Sequence, residues 1–219
     1  MGLIVLFPGW GTTKELYKSL EFEGYELLFI DHFDLNKVIK EIEGRKNGEV
    51  VFIGWSLGAM LALKYLKYFK VDKLVLLSPT LNFLENQPKI VVKKMFRDLN
   101  RDKLQTLLDF SRLNFYDQTK FKEYSTEYKD KLDQLNLEYL KKGLKFLLTE
   151  DLTMIGQVKG LSPLIITATE DQIIKPSKSK KVLDKFKNYH VYKLEKRGHN
   201  LIYESNKEVI EIIRGYLSD

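Results

Sequence analysis

The sequence has no cysteine. That absence excludes disulfides, thiolate metal sites and a cysteine nucleophile together, and it suits a reducing cytoplasm. Histidine is scarce, with three residues in 219, so chemistry that needs an imidazole has few candidates. No run approaches ~18 consecutive uncharged apolar residues, so no membrane span is expected. The opening stretch from Met1 to Pro8 lacks the basic n-region of a secretory signal, and a cytoplasmic location is expected. Charge of one sign is not in great excess: 36 Lys+Arg against 30 Asp+Glu give +6. The dense basic clustering and motif of a nucleic-acid binder are missing. What remains is an ordinary globular balance, 44% apolar and 30% charged. The length fits one α/β domain, or a core with one modest insertion.

Six short apolar runs read as strands: Leu3–Phe7, Tyr25–Ile30, Val50–Ile53, Leu74–Leu77, Leu164–Thr167 and Val191–Leu194. They are β-branched or aromatic-rich and nearly all apolar, as strands covered on both faces should be. Helical patterns separate them near 13–22, 34–43, 57–69, 176–187 and 205–217. This alternation predicts a mostly parallel sheet of about six strands with helices on both faces. The regularity stops after Ser78-Pro79. From 80 to 160 the apolar residues follow helical spacing, as at Leu132, Leu135, Tyr139, Leu140, Leu144 and Leu147. The expected organisation is a core from 1–79 and 161–219 with a helical cap insertion at 80–160.

The sharpest motif is Gly54-Trp55-Ser56-Leu57-Gly58, after an apolar strand and before an apolar helix. A serine there sits on a tight strand-to-helix turn, with small neighbours two residues away on either side. The helix start adds a positive dipole end for a developing oxyanion. Ser56 is therefore the candidate nucleophile. His199, in Gly198-His199-Asn200 after the last strand, is the candidate base. Gly198 is expected to let the backbone turn and to keep space around the imidazole. His32 follows the second strand and is also within reach of the sheet rim that Ser56 faces, its plainer reading being an outlying or exposed residue. His190 opens a strand and reads as structural at the opposite end of the sheet. The loop after Leu164–Thr167 carries Glu170 and Asp171. Asp171 is the preferred carboxylate to orient the histidine, with Glu170 as the alternative. Backbone N–H groups of Leu57 and of Trp10, in Pro8-Gly9-Trp10-Gly11, are the candidate oxyanion donors. No metal and no cofactor is implied, since neither G-x-G-x-x-G nor a P-loop is present.

With these residues in place, the chain resembles the α/β-hydrolases over nearly its full length. More narrowly, it resembles the pimeloyl-acyl-carrier-protein methyl ester esterases of biotin synthesis. The likeness rests on Pro8-Gly9-Trp10-Gly11, Gly54-Trp55-Ser56-Leu57-Gly58, the helical insertion and the late Gly198-His199. It implies an α/β-hydrolase fold, a Ser56–Asp171–His199 triad and an oxyanion hole at Trp10 and Leu57. It implies a serine carboxylesterase without cofactor. A broad short-chain esterase or an acyl thioesterase would use the same residues, and a non-catalytic binding protein on a hydrolase scaffold is the reading from another class.

The expected substrate is a small acyl ester, with Trp10, Trp55, Phe110 and Phe115 lining an apolar slot. The insertion is locally basic, with Lys89, Lys93, Lys94, Arg97, Arg101 and Lys103 against Asp98 and Asp102. In the resembled family, basic cap residues bind the acidic carrier protein. Docking of such a carrier is therefore a second expectation, and it predicts weaker affinity as salt rises.

Overall fold

The computed structural model describes residues 1–218. Six strands form one sheet: β1 (Gly2–Phe7), β2 (Tyr25–Phe29), β3 (Val50–Trp55), β4 (Lys73–Leu77), β5 (Leu164–Ala168) and β6 (His190–Leu194). Their order is β2-β1-β3-β4-β5-β6, and every pairing is parallel. The central strands are buried along almost their whole length, which explains their unbroken apolar sequences. The edge strands depart from the expectation of cover on both faces. In β6, Val191 and Tyr192 are 45% and 48% exposed, because neighbouring elements cover only part of an edge.

The strand order reverses direction between β1 and β3. In a parallel sheet the loops at the carboxyl ends diverge at such a switch point and leave a crevice. The loop after β1 holds Gly9-Trp10-Gly11, and the turn after β3 holds Ser56.

The core helices are α1 (Leu35–Glu43), α2 (Leu57–Tyr65), α7 (Pro176–Leu183), α8 (Leu201–Glu204) and α9 (Asn206–Ser218). Asp34 starts α1 by accepting the Lys37 N–H. Helix α2 buries every residue except Lys64, so it lies in the middle of the molecule rather than on it. Lys64 ends at Glu150, 2.5 Å away. The helix expected at 13–22 is absent. Only Lys14–Tyr17 coil, as one 3₁₀ turn. Leu16, Tyr17 and Leu20 are buried all the same, and Tyr17 is fixed by its hydroxyl to the neighbouring loop, so side-chain anchoring replaces helix propagation. The short α8, just after His199, has no counterpart among the sequence expectations.

Between β4 and β5 run four helices: α3 (Lys89–Asp98), α4 (Lys103–Leu113), α5 (Gln118–Asp133) and α6 (Leu137–Thr149). Asp102, Asp117 and Asn136 cap α4, α5 and α6 by accepting first-turn N–H groups. The two ends of this segment meet: Leu152 N–H donates to the Leu81 carbonyl at 2.8 Å, and Asn82 bridges to Asp151. Apart from such isolated bridges, no strand interrupts 80–160. No helix among the described residues is long and apolar enough to cross a membrane.

Candidate active site

Ser56 joins β3 to α2 with φ 56° and ψ −117°. A side chain pays a steric cost in that region, and such strain is kept where the surroundings over-determine it. The surroundings here are two glycines. A Cβ on Gly58 would stand 1.9 Å from the Phe7 carbonyl oxygen, and one on Gly54 would stand 2.6 Å from that of Gly58. Strand β1, the turn and α2 therefore meet backbone to backbone at the carboxyl end of the sheet, where Ser56 is 6% exposed. Leu57 N–H heads α2, where no intrahelical carbonyl can reach it.

His199 and Asp171 come together 28 residues apart in sequence. His199 Nδ1 lies 2.7 Å from Asp171 Oδ2, and both side chains are 1% exposed. Asp171 Oδ1 accepts the N–H groups of Ile173 and Ile174 at 2.9 and 2.8 Å. The carboxylate thus has one oxygen held by its own loop and one turned to the imidazole. Glu170 is exposed, so the structure turns Asp171 and not Glu170 toward the histidine. His199 Nε2 is buried without a hydrogen-bond partner among the described residues. Ser56 Oγ does not bond to it in this structure; such contacts commonly tighten only around a substrate.

Trp55 is 1% exposed, and its indole N–H donates to the His199 carbonyl at 3.0 Å. The residue before Ser56 thereby holds the backbone of His199. This corrects the expectation that Trp55 lines a substrate slot: its ring is packed against Gly9, Tyr17 and His199. Phe115 is displaced from the same expectation. Its ring packs with Phe121, Tyr124 and Tyr203, because α5 presents aromatic residues on the face turned to α8.

The loop after β1 is held by a closed ring of hydrogen bonds. Gly9 N–H donates to the Tyr17 hydroxyl at 2.8 Å, and Thr12 Oγ1 donates to the Gly9 carbonyl at 2.8 Å. The Thr12 proton being used, Tyr17 donates to Thr12 at 2.8 Å. Burial holds the Tyr17 hydroxyl well above the ordinary tyrosine range, so it stays a donor. Gly11 needs its φ of +70°, and Gly9 touches the Trp55 ring, where a Cβ would stand 2.8 Å away.

Trp10 is 4% exposed. Its indole N–H donates to the Leu140 carbonyl of α6 at 2.9 Å, and its ring meets Phe110 of α4 edge-on at 4.9 Å. Gly143 of α6 makes room for it. Its backbone N–H has no protein acceptor among the described residues. Phe110 also lines a groove of about 400 Å³ between α3 and α4, together with Val91, Met95, Thr106 and Leu113.

Gly198 does not have a positive φ. Its requirement is space on the side of the helical segment, where a Cβ would stand 2.5 Å from the Asn114 carbonyl oxygen. His32 Nε2 bonds to Glu41 at 3.0 Å, and His190 opens β6 at the opposite end of the sheet. No cluster of His, Asp and Glu suited to a metal occurs among the described residues. Sequence reasoning missed Tyr17, whose side chain looks like part of a helix face, and Gly143 and Glu204, whose roles depend on long-range contacts.

The strained serine and the buried His–Asp pair, both at the carboxyl ends of the strands, together define a hydrolase-type site on a parallel α/β sheet. Residues 3–212 match the alpha/beta hydrolase family, and the chain belongs to it. No curated protein sequence matches it. Solved structures are similar across the whole chain at low identity. An esterase from Exiguobacterium antarcticum is 18% identical with a TM-score of 0.84, covering 100% of this chain and 92% of that one. A bromoperoxidase from Bacillus anthracis is 16% identical with a TM-score of 0.84 and the same coverage. The enol-lactonase from Burkholderia xenovorans LB400 is 14% identical with a TM-score of 0.83, again covering 100% and 92%. These likenesses establish the shared fold.

Proposed function

We propose that this hydrolase is a serine carboxylesterase. The observation that carries the reading is the buried His199–Asp171 pair, with Nε2 unpartnered, tied through Trp55 to a serine on a strained strand-to-helix turn. Ser56 Oγ attacks the ester carbonyl carbon while His199 Nε2 takes its proton. Asp171 holds the tautomer with hydrogen on Nδ1 and stabilises the imidazolium. Negative charge collects on the carbonyl oxygen, to which Trp10 and Leu57 N–H donate. The carbon–alkoxy bond then breaks, and the leaving alcohol takes the proton from Nε2. Water, activated by the same nitrogen, hydrolyses the acyl-enzyme and returns Ser56. No cofactor enters these steps.

The finer reading is a methyl ester of a pimeloyl group on acyl carrier protein, in a cytoplasmic setting. It is supported by Gly9-Trp10-Gly11, by the aromatic cover over Trp10, and by α3. That helix exposes Lys89, Lys93, Lys94 and Arg97 around Ile90 and Val91, a surface suited to an acidic partner. The test compares methyl pimeloyl-carrier protein with p-nitrophenyl acetate, using wild type and Ser56→Ala. Serine-dependent turnover favouring the carrier, and weakening with salt, is expected. Turnover of the aryl ester alone would discard the carrier substrate. Equal turnover by Ser56→Ala would sink the serine mechanism.

A further inference from the structure

Glu204 has no part in the chemistry above, yet its carboxylate is built into the site's frame. It closes α8, five residues after His199, and is 3% exposed. Its two oxygens serve two different parts of the chain. Oε2 accepts the Gly198 N–H at 2.6 Å, and Oε1 accepts the Asp117 N–H at 2.8 Å. Gly198 precedes His199; Asp117 lies in the turn between α4 and α5. One side chain thus ties the helical segment to the histidine loop.

The tie is reinforced on both sides. Asn200 N–H donates to the Asn114 carbonyl at 2.8 Å, and Lys120 Nζ donates to the Glu204 carbonyl at 2.6 Å. The two loops touch directly at Gly198, where any Cβ would collide with Asn114 and Tyr116 backbone. The backbone around His199 is therefore held at three successive points. Glu204 holds the preceding N–H, Trp55 holds the histidine carbonyl, and Asn114 holds the following N–H.

Both oxygens face N–H donors, so the arrangement calls for the ionised carboxylate. A protonated acid would turn its own O–H against one of those donors. Burial works against ionisation and raises the Glu204 carboxyl above the ordinary range; the backbone donors and the Lys120 ammonium work the other way. The other charged groups nearby are engaged elsewhere. Arg197 bonds to Ser205 Oγ and the Lys196 carbonyl, and Asp117 caps α5.

Building on the serine-hydrolase reading, we propose that Glu204 is a positioning residue: it couples the α4–α5 turn to the His199 loop, so that seating of the helical segment sets the imidazole for proton transfer. Without its carboxylate, Gly198 and Asp117 lose a common acceptor, and His199 gains freedom relative to Ser56. A displacement of about 1 Å at such a group costs roughly 10²-fold in rate.

The test uses the full chain as wild type, Glu204→Gln and Glu204→Ala. Four quantities are read: the rate of covalent labelling of Ser56 by a fluorophosphonate, kcat and KM for p-nitrophenyl acetate, the low-field proton resonance of the His199–Asp171 pair, and Tm. The expected result is folded variants whose labelling and kcat fall about 10- to 100-fold, with KM near wild type and the resonance shifted or broadened. Glu204→Gln, which keeps one acceptor, falls less than Glu204→Ala. Folded variants with wild-type labelling and an unmoved resonance would reduce Glu204 to a structural tie and overturn the proposal.

If both variants fail to fold, Asp117→Pro cuts the tie from the other side by deleting one N–H, with Asp117→Ala, which loses the same α5 cap but keeps the N–H, as its control. Slower labelling in the proline variant alone supports the coupling, and equal labelling in the two refutes it. Absence of fluorophosphonate labelling in wild type would instead overturn the serine mechanism. The resonance would then still decide the role of Glu204.

Discussion

Gly143→Ala tests whether the helical segment positions the oxyanion loop. The added Cβ would stand 2.6 Å from Trp10 Cδ1, 3.1 Å from its Nε1 and 3.4 Å from Leu57 Cδ1. Carbon atoms rest at about 3.5–4.0 Å, so either the indole or α6 must yield by about 1 Å. The indole is not free to yield cheaply, being bonded to the Leu140 carbonyl and packed on Phe110. Movement passes to the Trp10 backbone, whose N–H is the proposed oxyanion donor. Loss of one such donor costs about 10²–10³ in turnover, and a 1 Å misplacement about 10². Stability moves much less. Alanine favours a helix interior by ~1 kcal/mol over glycine, while overpacking costs ~1–3 kcal/mol. The net is a loss of about 0–2 kcal/mol. Initial rates with p-nitrophenyl acetate, read beside a urea midpoint, give both quantities. Turnover near wild type in a folded Gly143→Ala protein would refute the idea that the helical segment positions the oxyanion loop.

Asp171→Asn should lower turnover by about 10⁴, and Glu170→Gln should leave it nearly unchanged; steady-state kinetics in which Glu170→Gln is the damaged variant would transfer the orienting role. The Asp117 carboxyl is held below its ordinary range, chiefly by the Thr119 N–H and further by that of Lys120. Its folded pKa is below the unfolded one, so its ionised form stabilises the fold above the unfolded value of 3.8. That contribution is lost as pH falls through the folded value. Asp117→Asn, which keeps the cap but not the charge, should have a lower urea midpoint at neutral pH and match wild type in acid. A gap that persists unchanged in strong acid would contradict this.

The sheet was legible because buried parallel strands write their burial into the sequence as unbroken apolar runs. The Ser56 turn was legible for the same local reason: Gly54 and Gly58 are needed within two residues of it. Asp171 could be preferred over Glu170 but not chosen outright, since both sit on one loop and only the fold turns one of them toward His199. Segment 13–22 misled because Leu16, Tyr17 and Leu20 have a helix-like spacing, while Tyr17 is in fact anchored by its hydroxyl to Gly9 and Thr12. Trp55 and Phe115 misled in the opposite way. An aromatic side chain next to a motif looks like a wall, and nothing local tells a wall from a brace. Glu204 was illegible because both of its partners are backbone N–H groups, one of them 87 residues away.

The helical segment leaves and rejoins the sheet at a single neck, where Leu81 and Leu152 bond and Asn82 meets Asp151. A segment with adjacent ends is an exchangeable cassette: evolution or an engineer can replace it without altering the strand order. The transplant is constrained at contacts with the core, among them Lys64 with Glu150, Gln87 with the Gln172 and Ile173 carbonyls, and Phe33 with Tyr139 and Phe146, and above all at the points wired to the chemistry. Those are the carbonyl that holds the Trp10 indole, the glycine that makes room for it, and the turn that meets Gly198 and Glu204. A graft that reproduces these contacts can change its outward surface, so substrate choice in this scaffold has room to diverge around one hydrolytic apparatus.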